Sequence, residues 1–154
     1  VEHTVLDQLK HTYDIVKNER LKKYEVQQGE VDVDIYAPYY STPGIAAELI
    51  LSDARSVDGL LLPSRELLLV TKTAAWYARR ASPKGRKDFL DIISILELPG
   101  LDTVKLHRWF GLAKQQDLMK ALTDEFKRTT SVVELNLSVH KIARAKKGWV
   151  AHFL

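Results

Sequence analysis

The sequence predicts an α+β fold in which strands come first and helices follow. Three observations carry this expectation. Alternating β-branched segments are confined to the part before Pro38, N-cap grammar and helical periods fill the chain from Pro63 onward, and no β-α-β alternation links the two. At 154 residues the chain is long enough for one well-buried core, and 45% hydrophobic with 28% charged residues is a globular composition.

Val5, Leu9 and Tyr13 recur at helical spacing, so Val1 to Tyr13 is expected to open the chain with a short amphipathic helix. Tyr13–Lys17, Lys23–Gln27 and Glu30–Tyr36 follow as expected strands, and Gly29 punctuates the last two as a hairpin turn would. Pro38 ends the third strand, and Ser41-Thr-Pro-Gly44 is a loop. Ile45–Leu51 is expected to be a short helix and Leu60–Leu62 a short buried strand or an entry segment. Ser64 then N-caps a helix over 64–80, and Ser82-Pro83 opens a second over 83–96. Pro99-Gly100 breaks that helix, Asp102 caps a third over 102–110, and Gly111 follows. Two further helices are expected over 115–128 and 130–147. The chain thus divides into a sheet region, 1–62, and a helical region, 63–154.

Several function classes are excluded or disfavoured. The longest apolar run, Leu60-Leu61-Leu62, falls far short of the ~20 residues of a membrane span. Val1 to Lys10 mixes charges with few apolar residues, unlike a secretory signal, and there are no cysteines for disulfides or thiolate chemistry. A cytoplasmic location is the expectation. Net charge is only +3, but it is divided. Residues 1–60 carry 6 Lys/Arg against 11 Asp/Glu, and residues 61–154 carry 17 against 9. The acidic and basic parts are expected to do different work.

Candidate chemistry begins on the third strand. In Val31-Asp32-Val33-Asp34-Ile35 the apolar residues share one face, expected to pack into a core. The two carboxylates share the other, ~7 Å apart, as metal ligands or as a solvated polar face. Lys72 is the only charge between Glu66 and Arg79, and it either snorkels from a packed helix or meets an anion. Arg79, Arg80, Lys84, Arg86 and Lys87 cluster across a helix-loop-helix junction, where a helix N-terminus could hold phosphates or the cations could be solvated. Asp88 and Asp91 share a helix face. The five histidines show no metal-ligand spacing, and no Gly-rich phosphate loop is present.

Taken in order, Glu30-Val-Asp-Val-Asp-Ile35, Leu62-Pro-Ser-Arg-Glu-Leu-Leu-Leu-Val-Thr-Lys72-Thr-Ala-Ala75 and Arg86-Lys-Asp88-Phe-Leu-Asp91 resemble the nucleotidyltransferase superfamily. The likeness is to its AbiEii-like and minimal nucleotidyltransferase branches and covers residues 1–98. It implies a small mixed or antiparallel sheet of the nucleotidyltransferase type followed by a helical bundle, with residues 1–62 as the remainder of that sheet. Asp32 or Asp34 would match the third carboxylate and hold Mg²⁺, Lys72 would meet the nucleotide phosphates, and Asp88 would complete the site. Arg79, Arg86 and Lys87 would add cations for the triphosphate. The substrate would be an NTP (ATP or CTP), its nucleotidyl group going to tRNA, another RNA or a protein, as in toxin-type enzymes that pair with a protein antitoxin. The family's Gly-Ser turn and following Asp-x-Asp strand are missing upstream of Asp32. The resemblance therefore expects either that this hairpin precedes Val1 or that the chain is a degenerate, inactive member. The rival reading is a non-catalytic binding module, its basic helices, with Lys141, Arg144, Lys146 and Lys147, engaging nucleic acid or an acidic protein.

Overall fold

A computed structural model describes residues 2–154 and has the predicted order of an antiparallel sheet followed by helices. Helix α1 (Glu2–Lys10) leads into β1 (Ile15–Asn18), β2 (Lys23–Gln28) and β3 (Val31–Ile35), a three-stranded sheet in the order β1-β2-β3. Val1, placed in the first helix by its periodicity, lies outside the described residues. Register puts Ile15, Val26 and Val33 in one cross-strand row and Val16, Glu25 and Asp34 in the next. One sheet face is therefore mostly apolar, with Lys17 an exception on it, and the other is polar except for Val16.

The apolar face is not the core that the Val-x-Val-x-Ile pattern suggested. Val31 and Val33 are 60% and 42% exposed, and Val26 is the sheet's one buried apolar side chain among those described. A three-stranded sheet this short has too little facing surface to bury both its edges.

A loop, residues 36–46, leads to α2 (Ala47–Asp53), then to a hairpin of β4 (Arg55–Val57) and β5 (Leu60–Leu62). Both turn residues, Asp58 and Gly59, have positive φ, +50° and +81°, the signature of a two-residue primed turn. Leu60–Leu62 is thus a strand as expected, but an exposed one, and β4 is an addition that the Asp58-Gly59 pair announces.

The core lies among the helices. These are α3 (Arg65–Arg79), α4 (Pro83–Leu96), α5 (Thr103–Leu112), α6 (Gln116–Arg128) and α7 (Val139–Ala151). Ser64, Ser82 and Asp102 cap α3, α4 and α5 by accepting from Leu67 N, Gly85 N and Lys105 N, as their positions predicted. Leu67, Val70, Ile92, Leu106, Phe110, Leu122 and Phe126 are buried together, with Phe126 between the rings of Phe89, Trp149 and Phe153.

Two helical bounds are corrected. Helix α5 runs through Gly111 to Leu112, because nothing forces a turn there: Gly111 keeps helical geometry and Ala113 closes the helix. The stretch expected as one helix over 130–147 is instead a bridge between Val132 and Leu137, a 3-10 turn at Val133–Leu135 and then α7. Thr129 to Val133 is β-branched apart from Ser131, and Asn136 adopts a left-handed φ of +54°, which ends one segment before Ser138 starts the next. Helix α7 then continues past Lys147, since Trp149 and Phe153 are buried in the bundle.

Candidate functional site

Helix α3 presents Thr71, Lys72, Ala74, Ala75, Ala78 and Arg79 to the loop and strand opposite. Between them lies a cleft of about 550 Å³ whose far wall is Asp34, Tyr36, Pro43 and Gly44, with Asp88 of α4 at its base. The alanines leave the floor open, since their side chains are too short to fill it. Gly44 allows the loop to approach: its φ is +85°, and a Cβ there would lie 2.8 Å from Ala74 Cβ and 3.3 Å from Thr71 Cα. The Gln115 side-chain amide donates to the Gly44 carbonyl and fastens the loop to the start of α6.

Two cations enter the cleft, and two aspartates of α4 hold them. Arg79 binds Asp88 in a fork, Nε to Oδ2 at 2.6 Å and Nη2 to Oδ1 at 2.9 Å. Asp88 is buried, so it acts as a fixed anion around which Arg79 is oriented. Lys72 Nζ lies 2.7 Å from Asp91 Oδ2 and 3.7 Å from Asp88 Oδ1. The three-residue spacing of Asp88 and Asp91 thus puts both on one lysine. Lys72 thus meets anions of its own chain, one of the two options its position offered, and remains 32% exposed toward the cleft. Asp88 sits in the second turn of α4 rather than the first, so it serves these cations and not the helix dipole.

Asp34 extends toward the same cleft, with Lys23 Nζ at 2.7 Å and the Tyr36 hydroxyl donating to its Oδ2 at 3.4 Å. Burial opposes the Lys23 charge, but hydrogen bonds to Asp34 and Glu25 outweigh it and its pKa is raised. For Tyr36, burial and the Asp34 charge both hold the phenol above its ordinary pKa. A second cleft of about 690 Å³ adjoins the first, sharing Asp34 and Arg79, and is lined by Asp32, Lys23, Glu25 and Lys84 among others.

The expected site residues thus divide. Asp34, Lys72, Arg79 and Asp88 meet in one cleft, and Asp32 faces the neighbouring one. Arg86 does not join them: its guanidinium forms a fork with Glu134 at 2.9 Å and lies over Phe89. Lys87 is exposed on α4 and lines neither cleft, while Arg80 lies 4.4 Å from the Tyr77 ring centroid. Tyr36, Gly44, Gln115 and Asp91 contribute to the site although the motifs did not single out such roles for them. The sequence signal for Asp91 was its spacing from Asp88; the others are fixed only by the loop's path.

The donor set does not suit the magnesium pair that the family likeness implies. Asp34 already carries an ammonium partner, Asp88 is committed to Arg79, and among the described residues no group of three or more His, Asp or Glu side chains is placed to hold a metal ion. Two histidines serve the fold: His107 Nε2 contacts the His152 carbonyl at 3.0 Å, and His152 Nδ1 contacts Thr103 Oγ1 at 2.9 Å, which ties α7 to α5. Among the described residues no helix is long and apolar enough to cross a membrane. No protein-family model matches the chain, and no curated protein or solved structure matches it either.

Proposed function

We propose that the cleft between β3, the 36–46 loop and α3 binds the phosphates of an NTP, and that the chain is a nucleotidyltransferase-like protein acting on RNA or protein. The observation that carries this reading is the convergence of Lys72, Arg79, Asp34 and Asp88 on a single cleft, although they come from three elements. A triphosphate is a polyanion, and Lys72 and Arg79 are the charges that would receive it. Asp88 and Asp91 orient those cations before the ligand arrives, which lowers the ordering cost of binding. Asp34, beside them, would be the carboxylate that accepts a proton from an acceptor hydroxyl.

With one or two carboxylates from a single strand, the 154-residue chain is expected to bind nucleotide better than it transfers it. Titration of ATP and CTP, by calorimetry and by transfer of labelled nucleotide to RNA or protein, tests the reading. Lys72→Ala is expected to weaken ATP binding by about tenfold or more, the worth of a lost charge-assisted contact. Binding that is unchanged in both Lys72→Ala and Arg79→Ala would refute it.

A second reading has its own observation. Lys141, Arg144 and Lys147 recur every three residues along α7 and are all exposed, and no acidic side chain pairs with them among the described residues. That row suits a phosphate backbone. If the chain is a nucleic-acid-binding module, RNA affinity should fall steeply between 50 and 200 mM salt, and Arg144→Ala with Lys147→Ala should flatten the slope by about two. An RNA shift that ignores salt excludes it.

A further inference from the structure

Among the described residues, Tyr36 is the one aromatic lining the cleft that holds Lys72 and Arg79. It follows directly on β3, its hydroxyl donates to Asp34 Oδ2 at 3.4 Å, and Pro38 stiffens the chain just beyond it. Its ring has no aromatic or cationic partner among the described residues. Tyr24 and Tyr40 meet at 5.8 Å in a tilted pair and Tyr77 meets Trp76 and Arg80, but among the described residues neither a ring nor a cation pairs with Tyr36. The residue is 41% exposed. An aromatic ring that lines a cleft and is held at its hydroxyl is a platform for a flat π ligand.

The opposite wall fits the same ligand. Ala74, Ala75 and Ala78 leave a low apolar floor on α3, and the cations bracket it in sequence, Lys72 before and Arg79 after. Gly44 keeps the 36–46 loop close to α3 at Ala74, and the cleft stays open to solvent beyond it.

We propose that Tyr36 is the base-stacking residue of this cleft, the nucleobase lying between its ring and the alanine floor of α3 while the phosphates reach Lys72 and Arg79. The inference rests on the nucleotide reading above and assigns that ligand's base a site and a residue. Stacking tolerates every base, so recognition here comes from the ring face rather than from hydrogen bonds to base edges.

Calorimetric titration of the full chain with ATP and with inorganic triphosphate separates the two ideas. Wild-type protein is expected to bind ATP more tightly than triphosphate. Tyr36→Ala should weaken ATP about tenfold or more and leave triphosphate within about twofold. Tyr36→Phe, which keeps the ring and loses the Asp34 contact, should retain ATP affinity. Tyr36→Leu keeps apolar bulk without a π face and should behave as Tyr36→Ala, which serves if the alanine variant folds poorly. Tyr36→Ala and Tyr36→Leu binding ATP as wild type does, or losing triphosphate in equal measure, overturns the stacking role. Wild-type binding of triphosphate as tight as that of ATP overturns it too while leaving the phosphate site standing, whereas binding of neither ligand overturns both.

Discussion

At the residue scale the site is a set of charges that satisfy one another. Asp88 is buried and holds Arg79 through two hydrogen bonds, whereas Asp91 is over a third exposed and holds only Lys72. Removing the first charge should therefore cost more than removing the second. Asp88→Asn is expected to destabilise by about 1–3 kcal/mol, and Asp91→Asn by less than about 1 kcal/mol, as read from denaturant midpoints. Equal losses would mean that Asp88's burial is not what fixes Arg79. Arg86 and Glu134 make a separate contact at the surface, where the Arg86 hydrogen bonds bring the Glu134 pKa down from 4.5 to about 2. A carboxylate with a depressed folded pKa stabilises above its unfolded pKa and loses that contribution as pH falls through the folded one. The thermal-stability gap between wild type and Glu134→Gln should hold from pH 7 to 5, narrow as pH drops below 4.5, and shrink with added salt. A gap that widens on acidification would contradict the pairing.

At the element scale two glycines set the distances on which the cleft depends. A Cβ at Gly85 would overlap the Arg79 carbonyl oxygen and its neighbouring backbone, so Gly85 is what lets α4 begin so close to the end of α3. Gly85→Ala should cost about 2 kcal/mol or more, because backbone cannot step aside as a flexible side chain can. It should also loosen the Arg79–Asp88 fork. Gly44→Ala meets both a left-handed backbone and the Ala74 methyl, so it should lift the loop from α3 and weaken any ligand in the cleft by more than its effect on melting temperature suggests. Melting unchanged in either variant would show that the loop or the helix junction has room to spare. Much of this architecture was legible. Ser64, Ser82-Pro83 and Asp102 announced three helices because capping is local chemistry, and Lys72, Arg79 and Asp88 stood out because charges within apolar helices are conspicuous. Tyr36 and Gly44 did not, since a loop's path depends on contacts such as Gln115 to Gly44 that join residues far apart in sequence. Arg86 was placed with the phosphate cations because its partner Glu134 lies in a segment that was read as helix and is a 3-10 turn.

At the scale of the whole molecule, stability and the acidic strand are in different places. Nearly every buried apolar residue belongs to α3–α7 or the segments that pack on them, while the sheet leaves Val16, Val31 and Val33 exposed and buries Val26. Burial near 25 cal/mol per Å² is the main stabilising term, so the helical region should open only at close to the global unfolding free energy and the sheet well below it. Native-state hydrogen exchange tests this: β2 amides should exchange through smaller openings than those of Leu69, Ile92 and Phe110. Equal opening energies would mean that the sheet is locked to the bundle more firmly than its burial implies. The cleft has one wall on each part, Asp34 and Tyr36 on the sheet side, Lys72 and Arg79 on the bundle side. A ligand that spans it therefore binds the closed arrangement and stabilises it by mass action. ATP at about 100 times its Kd should slow exchange in β2 and β3 by up to about a hundredfold, and by as much at α5 and α6 amides that exchange only through global unfolding. Inorganic triphosphate, which lacks a base for Tyr36, should protect the strands less at equal saturation, and equal protection by the two would place the coupling in the phosphate contacts alone.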